Sequence, residues 1–173
     1  MRFPAPILAL AGALTMTGCS TFVSLNPFVS DQQAATDPAL IGTWHGDDDT
    51  LFVIRQEGSV YTIRYLGDDS TAVKLEARLM IVGNAKFLDL VSKNDDAFQI
   101  PAHLLVRVWT GDKTLRWAFL DSDWLKEQAA KQLPVQALEK RTLATASSEA
   151  MHAFLLKNAG DDRAHGKIAV LEK

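Results

Sequence analysis

A long series of short, alternating segments between residues 42 and 121 constrains the fold more than any other feature of this chain. In 73–82, apolar side chains occupy every second position and mostly charged side chains lie between them, the pattern of a strand with one buried face. Turn residues such as Glu57-Gly58 and Gly83-Asn84 separate the segments. The pattern predicts seven strands, at 42–46, 51–57, 60–66, 71–82, 85–92, 103–110 and 114–121.

The short connections predict antiparallel neighbours, because tight hairpins join antiparallel strands. A long meander must protect its edge strands, and closing into a barrel removes the edges. Further elements are predicted in the last third of the chain: helices at 123–132 and 148–158, and strands at 141–146 and 166–172. The predicted fold class is mainly β with two helices, an up-and-down meander closed into a barrel or partly open. A sheet or sandwich with helices packed on it is the alternative.

The tripeptide Gly42-Thr43-Trp44, at the start of the first strand, resembles the Gly-x-Trp signature of lipocalins and related calycins. The resemblance covers roughly residues 38–121. It implies an eight-stranded barrel in which Trp44 plugs the closed end. Two predicted helices separate this meander from the last strand, whereas a lipocalin usually has one.

The N-terminal 18 residues have the zones of a secretory signal: Arg2, then an apolar run from Ile7 to Met16, then small residues. The run is too short to span a bilayer, which needs about 20 apolar residues. The string Met16-Thr17-Gly18-Cys19 resembles the lipobox of bacterial lipoproteins, although that pattern prefers Leu where Met16 stands. The alternatives are an ordinary cleavable signal followed by an incidental cysteine, or a buried N-terminal helix.

The lipobox resemblance implies acyl chains, palmitate among them, on Cys19, the only cysteine of the chain. Two or more acyl chains give stable membrane anchoring. Ser20, by the same resemblance, favours the outer membrane, with the protein facing the periplasm. Residues 19–37 are predicted to form a flexible tether, and residues 38–173 the barrel domain.

Length, charge and cysteine content exclude several classes of function. Removing the 18 leader residues from 173 leaves 155, a length typical of one domain. The chain has 18 basic and 21 acidic residues, so losing Arg2 with the leader leaves a net charge of −4. This charge does not favour nucleic acid as a partner. With Cys19 acylated, disulfides, cysteine-zinc sites and cysteine nucleophiles are excluded.

Acidic residues concentrate in the odd-numbered turns of the predicted meander. Because successive turns alternate between the two ends of a barrel, these turns meet at one rim, opposite Trp44. The sequence predicts either a cation-binding rim or simply solvated turns, since Asp favours turns. The candidate rim residues are Asp47, Asp48, Asp49, Asp68, Asp69, Asp95 and Asp96.

Motifs that identify an enzyme are not found: the chain has no nucleophile elbow, Walker loop, zinc-protease helix or dinucleotide fingerprint. The four histidines, His45, His103, His152 and His165, are widely spaced. Asp121 and Asp123 are interpreted as helix-start residues. We therefore expect a protein that is not an enzyme, with no catalytic residue, metal or cofactor.

Aromatic side chains share faces of two predicted strands: Tyr61 and Tyr65 on one, and Trp117 and Phe119 on another. If these faces point inward and the barrel is not filled, they line an apolar pocket. A fully packed interior is the alternative. The function hypothesis is binding of a small apolar or amphipathic ligand. The competing hypothesis is a structural or assembly module of the cell envelope that acts by protein–protein contact.

Overall fold

The computed structural model describes residues 21–47, 50–67, 72–92, 100–138 and 141–173. Within these ranges the chain forms eleven strands, two α-helices, and two short 3-10 helices at Pro38–Leu40 and Asp162–Ala164. The strands are β1 (Thr21–Ser24), β2 (Gly42–His45), β3 (Leu51–Glu57), β4 (Val60–Leu66), β5 (Ala72–Val82), β6 (Ala85–Ser92), β7 (His103–Thr110), β8 (Thr114–Phe119), β9 (Val135–Leu138), β10 (Arg141–Ala144) and β11 (Ala169–Glu172). The helices are α1 (Ser122–Gln132) and α2 (Ser148–Asn158).

Eight strands close into a barrel in the order β2, β3, β4, β5, β6, β7, β8 and β11, with β11 returning to β2. Every pairing around this ring is antiparallel. The predicted mainly β fold with two helices and an up-and-down barrel is therefore confirmed. Closure leaves these eight strands without a free edge, which protects a long meander from pairing with other chains.

The barrel is joined unevenly. Strands β5 and β6 pair continuously from Leu75 opposite Ser92 to Val82 opposite Ala85. Strands β2 and β11 are joined only by the pair His45 and Glu172. The ring therefore has a short seam between its first and last strands.

Strand alternation produces two cores, because the strands β5 to β7 bury both faces. On β6, Leu88 faces the barrel interior while Phe87 and Asp89 face outward, and all three are buried. The inner core faces the barrel interior and consists of Leu40, Trp44, Ile54, Tyr61, Ile63, Ala77, Leu79, Leu88, Val106, Val108, Leu115 and Leu171. The outer core lies between the barrel wall, the N-terminal segment and the helices, and includes Phe22, Phe28, Phe87, Leu105, Trp124, Leu125, Met151 and Phe154.

A side chain caps the N-terminus of each helix, and Asp121 at α1 is one of the predicted helix-start residues. The Asp121 carboxylate accepts the N–H of Trp124 at 2.8 Å, and the Ser147 hydroxyl accepts the N–H of Ala150 at 3.4 Å. The Trp124 indole donates to the Asp161 carboxylate at 2.9 Å, which links α1 to the segment after α2. Hydrogen bonds from Arg163 and Trp124 hold the pKa of Asp161 well below its ordinary value.

The prediction of a flexible tether at 19–37 is wrong for its described part, which begins at Thr21. Strand β1 pairs in parallel with β10, and Phe22, Phe28 and Val29 are buried. This segment lacks regular periodicity, but its few apolar residues cover the outward apolar face of the barrel. The packed unit therefore starts at least as early as Thr21, instead of at residue 38.

Strand β9 was not predicted, and it extends the sheet by pairing with β10. The part of the chain that the structure describes has no helix that is both long and apolar enough to cross a membrane.

Candidate functional site

One end of the barrel is closed by the chain that enters it. Leu40, in the 3-10 helix before β2, is fully buried beside Trp44, and the Trp44 indole donates to the Leu40 carbonyl at 2.9 Å. The Lys173 ammonium lies 4.6 Å from the centre of the Trp44 ring, a cation–π distance. Gly42 has φ 149°, and a Cβ there would come within 2.9 Å of the Lys173 side chain. The Gly-x-Trp tripeptide thus closes this end.

Polar contacts around Asp37, the Asp37 cluster, hold residues 37–40 in place, and these residues are the closing segment of the barrel. The Asp37 carboxylate accepts from the Lys86 ammonium at 2.6 Å, from the Thr110 hydroxyl at 3.2 Å and from the Ala39 N–H at 3.0 Å. Burial alone would raise the pKa of Asp37, but the bonds from Lys86, Ala39 and Thr110 outweigh it and lower this pKa. The Tyr61 hydroxyl accepts the Asp37 N–H at 2.6 Å, and burial raises the pKa of this phenol. This end of the barrel is packed, and its polar groups form hydrogen bonds with one another.

The other half of the barrel is hollow. A cavity of about 410 Å³ is partly walled by residues of the inner core and is open at the rim where β2, β4 and β6 end. This volume is within the range of small-molecule sites. Its wall is made mainly of aliphatic side chains: Ile54, Ile63, Val73, Leu75, Leu88, Leu90, Val106, Val108, Leu115, Val170 and Leu171. The barrel interior is therefore packed at one end and open at the other.

Aromatic rings line the cavity together. The Phe52 ring lies 4.9 Å from the Tyr65 ring and 6.2 Å from the Trp117 ring, and the Trp117 ring lies 5.0 Å from the Phe119 ring. Phe52 is on β3 and Trp117 is on β8, so their contact crosses the two strands of the seam. The Trp117 indole N–H is buried and has no hydrogen-bond partner among the described residues.

The residues predicted to bind a ligand separate into two groups. Tyr65, Trp117 and Phe119 line the cavity. Tyr61 does not, because it is fully buried below the cavity with its hydroxyl bonded to Asp37. Alternation along β4 correctly put Tyr61 and Tyr65 on one face, but it did not reveal that the closing segment covers only the first.

The predicted acidic rim is described at one residue. Asp47 is exposed and lines the cavity. The other six candidates lie outside the described residues: Asp48, Asp49, Asp68, Asp69, Asp95 and Asp96. Within the described ranges, no three His, Cys, Asp or Glu side chains come together as a metal site requires.

A second depression, of about 420 Å³, lies outside the barrel against β5 to β7 and is lined partly by charged side chains. Beside it, buried Asp89 accepts the N–H groups of Phe28 and Val29 at 2.9 and 3.3 Å, and contacts His103 Nδ1 at 2.9 Å. The sequence analysis missed Asp89, although a lone carboxylate in the apolar run of β6 was a visible signal. These bonds attach the N-terminal segment to the barrel.

Phe52 was also missed, although alternation along β3 puts it on the same face as Ile54. Arg64 and Arg107, each in a largely apolar strand, face outward. Arg64 is exposed, and the Arg107 guanidinium lies 5.7 Å from the Phe87 ring on the outer face and donates to the Ala159 carbonyl at 3.4 Å. The cavity wall therefore contains neither.

Comparison of the chain with protein-family models, with curated protein sequences and with solved structures gave no match.

Proposed function

We propose that this protein binds one small apolar or amphipathic molecule in the open half of its barrel. The observation that carries the proposal is the cavity of about 410 Å³, with its almost wholly apolar wall. An apolar ligand that fills it removes both its own surface and the wall from water, which is favourable by about 25 cal/mol per Å². Trp44, Tyr61 and the Asp37 cluster pack the closed end of the barrel beneath the cavity. The cavity therefore exists before the ligand enters.

Titration with a neutral fluorescent dye, N-phenyl-1-naphthylamine, tests this proposal. The protein is the full chain with Cys19→Ser, which cannot be acylated at that residue. We expect saturable binding at one site, with energy transfer from Trp117 to the dye. Replacing Trp117 by Phe should reduce that transfer.

Two matched variants locate the dye. Leu90→Trp fills the cavity and should weaken dye binding at least tenfold, since overpacked space excludes the dye. Leu138→Trp makes the same change on β9, where Leu138 is 50% exposed, and should leave binding unchanged. Equal dye binding by Leu90→Trp and Leu138→Trp would refute a ligand site in the barrel.

We also propose that the chain is a lipoprotein of the cell envelope, anchored through Cys19. The lipobox-like sequence supports this, and the packing of β1 adds a geometric consequence. Thr21 is two residues after Cys19, so the extended chain between them spans at most about 7 Å. An anchored barrel would therefore sit close against the membrane instead of hanging from a tether.

Intact-mass measurement of the protein from a bacterial membrane fraction tests the anchor. We expect loss of residues 1–18 and the added mass of acyl chains, with Cys19→Ser found unacylated in the soluble fraction. An unprocessed chain with a free thiol at Cys19 would refute the anchor and leave the ligand proposal untouched.

The competing proposal, a module that acts by protein–protein contact, has weaker support. Large exposed apolar side chains lie on separate elements: Ile81 on β5, Leu138 on β9 and Leu156 on α2. Single exposed apolar residues are normal on protein surfaces. Failure of the dye to bind would favour this second proposal.

A further inference from the structure

The described residues that line the cavity carry negative charge only. Of the described residues that line it, Asp47 is the only one with a charged side chain, and none is Lys, Arg or His. A buried anionic head group needs a cationic partner or several donors, because an unpaired charge away from water is strongly unfavourable. The described wall offers a carboxylate no cation. Its side-chain donors are the Trp117 indole and the hydroxyls of Tyr65 and Thr50, and the last already donates to the Asp47 carbonyl.

Strand alternation explains why the basic residues are absent from this wall. Arg64 lies between Ile63 and Tyr65, and Arg116 between Leu115 and Trp117; in each pair the neighbours line the cavity. Since successive side chains point to opposite faces of a strand, both arginines face outward. The Arg116 guanidinium indeed lies 5.7 Å from the ring of Trp109, a residue on the outer side of β7.

The same cavity holds four aromatic rings in a continuous cluster, formed by Phe52, Tyr65, Trp117 and Phe119. Aromatic faces attract cations, and cages of such rings are used to bind quaternary ammonium groups. Phe119 is 41% exposed, so part of the cluster reaches the surface. An aliphatic wall, aromatic rings and the Asp47 carboxylate at the opening form a combination suited to a cationic amphiphile.

We propose that the ligand is a single-chain amphiphile with a cationic ammonium head group. Its chain lies among the aliphatic side chains, and its head group lies at the opening beside Asp47 and the aromatic cluster. This inference rests on the proposed ligand-binding function and adds the charge of the ligand. It predicts that amphiphiles with the same chain bind in the order ammonium, then alcohol, then carboxylate.

Asp47 can be tested without disturbing the turn that holds it. The bonds of this turn use main-chain oxygens: Thr50 donates its hydroxyl to the Asp47 carbonyl at 2.8 Å, and Gly46 donates to the Thr50 carbonyl at 3.0 Å. Asp47→Asn therefore removes the charge and keeps the backbone. Asp112→Asn is the matched control, because it makes the same charge change on an exposed residue in the turn between β7 and β8, at the closed end.

The experiment is competition against the bound dye at low ionic strength, using decyltrimethylammonium, decanol and decanoate below their micelle concentrations. The full Cys19→Ser chain is used. We expect decyltrimethylammonium to displace the dye at about tenfold lower concentration than decanoate, from attraction to the rings and to Asp47. Asp47→Asn should reduce this ratio to about threefold, and Asp112→Asn should not change it. Added salt should also reduce the ratio, because the rim is exposed.

Three results would overturn the inference. Decanoate could displace the dye as well as decyltrimethylammonium does, Asp47→Asn could leave the ratio unchanged, or no decyl compound could displace the dye. In each case the dye itself still binds, so the proposed cavity function would stand. Failure of the dye to bind is a different result and counts against the proposed function.

Discussion

The two halves of the barrel are built from the same strands and the same alternation, yet one is packed and the other is hollow. At the closed half, Trp44 and Tyr61 are fully buried, and both polar tips have hydrogen-bond partners. At the open half, Trp117 is partly buried, and no residue in the described ranges accepts from its indole N–H. The difference is that the segment before β2 folds across one end and brings Leu40 and Asp37 with it.

The two halves differ in what their residues contribute: the closed half contributes stability, and the open half provides the ligand site proposed above. Interior positions of an eight-stranded barrel can be filled by side chains or can leave room for one small ligand. Here the filled half has large rings in contact with a closing segment, while the wall of the open half is mostly Val, Leu and Ile. We expect substitutions in the closed half to change mainly the free energy of unfolding, and substitutions in the open half to change mainly ligand affinity.

The largest contrast should come from shortening one tryptophan in each half. Trp44→Ala removes a fully buried ring and should lower the free energy of unfolding by about 3–5 kcal/mol. Trp117→Ala removes a partly buried ring beside existing empty space, and should lower it by about 1–2 kcal/mol. Urea denaturation followed by circular dichroism measures both. Equal losses would contradict the distinction between the two halves.

A smaller contrast isolates the indole N–H. Trp44→Phe leaves the Leu40 carbonyl without its donor and opens a small cavity, so we expect a loss of about 2 kcal/mol. Trp117→Phe deletes a donor that has no partner, so the change in unfolding free energy should stay within about 0.5 kcal/mol. The same urea curves give the answer. A loss at Trp117→Phe as large as at Trp44→Phe would show that the Trp117 indole is bonded in solution.

The Asp37 cluster predicts a pH-dependent contribution from the closed end. The folded pKa of Asp37 is lowered below the ordinary value of 3.8, so the ionised carboxylate stabilises the fold above that value. Its contribution is lost as pH falls through the lowered folded pKa. Asp37→Asn should therefore cost about 1.5 kcal/mol at pH 7, and progressively less below about pH 4.

Urea midpoints of wild type and Asp37→Asn between pH 7 and pH 3 test this sign. The control is Asp47→Asn at the open end, which should change stability at pH 7 by less than about 0.5 kcal/mol. A difference in unfolding free energy between wild type and Asp37→Asn that grows on acidification would contradict a stabilising role of the ionised carboxylate.

The smallest contrast uses the two tyrosines of β4. Tyr61→Phe leaves the partly buried Asp37 N–H without its partner, and should cost about 1 kcal/mol. Tyr65→Phe removes a hydroxyl that lies against Gly67 near the rim, and should cost less than about 0.5 kcal/mol. Thermal and urea unfolding of the two variants provide the comparison. A larger loss at Tyr65→Phe would place the supporting hydrogen bonds at the opposite end.

Much of the fold was predictable because strand alternation is a local property. The predicted strands at 51–57, 60–66, 85–92 and 103–110 have the bounds that the structure gives, and α2 spans the predicted 148–158. β1 was not predictable in this way. Four residues without clear periodicity become a strand only because β10, more than a hundred residues later, pairs with them.

The candidate site was predictable in part, for the same reason. Alternation put Tyr61 with Tyr65, and Trp117 with Phe119, on shared faces, and Tyr65, Trp117 and Phe119 line the cavity. It could not separate Tyr61 from Tyr65, because that difference depends on where residues 37–40 cross the barrel. It also gave no means of finding the bonds from Asp89 to Phe28 and Val29, which join residues about 60 positions apart.

Local patterning established the class of structure, a meander whose period-two pattern buries one face of each strand. It also showed that residues between the inward positions face outward, since that follows from strand geometry alone. Which half of the interior is filled follows only from the tertiary contacts. That outcome depends on a closing segment and on contacts between strands distant in sequence, such as Phe52 with Trp117, whose packing volumes have no local signature.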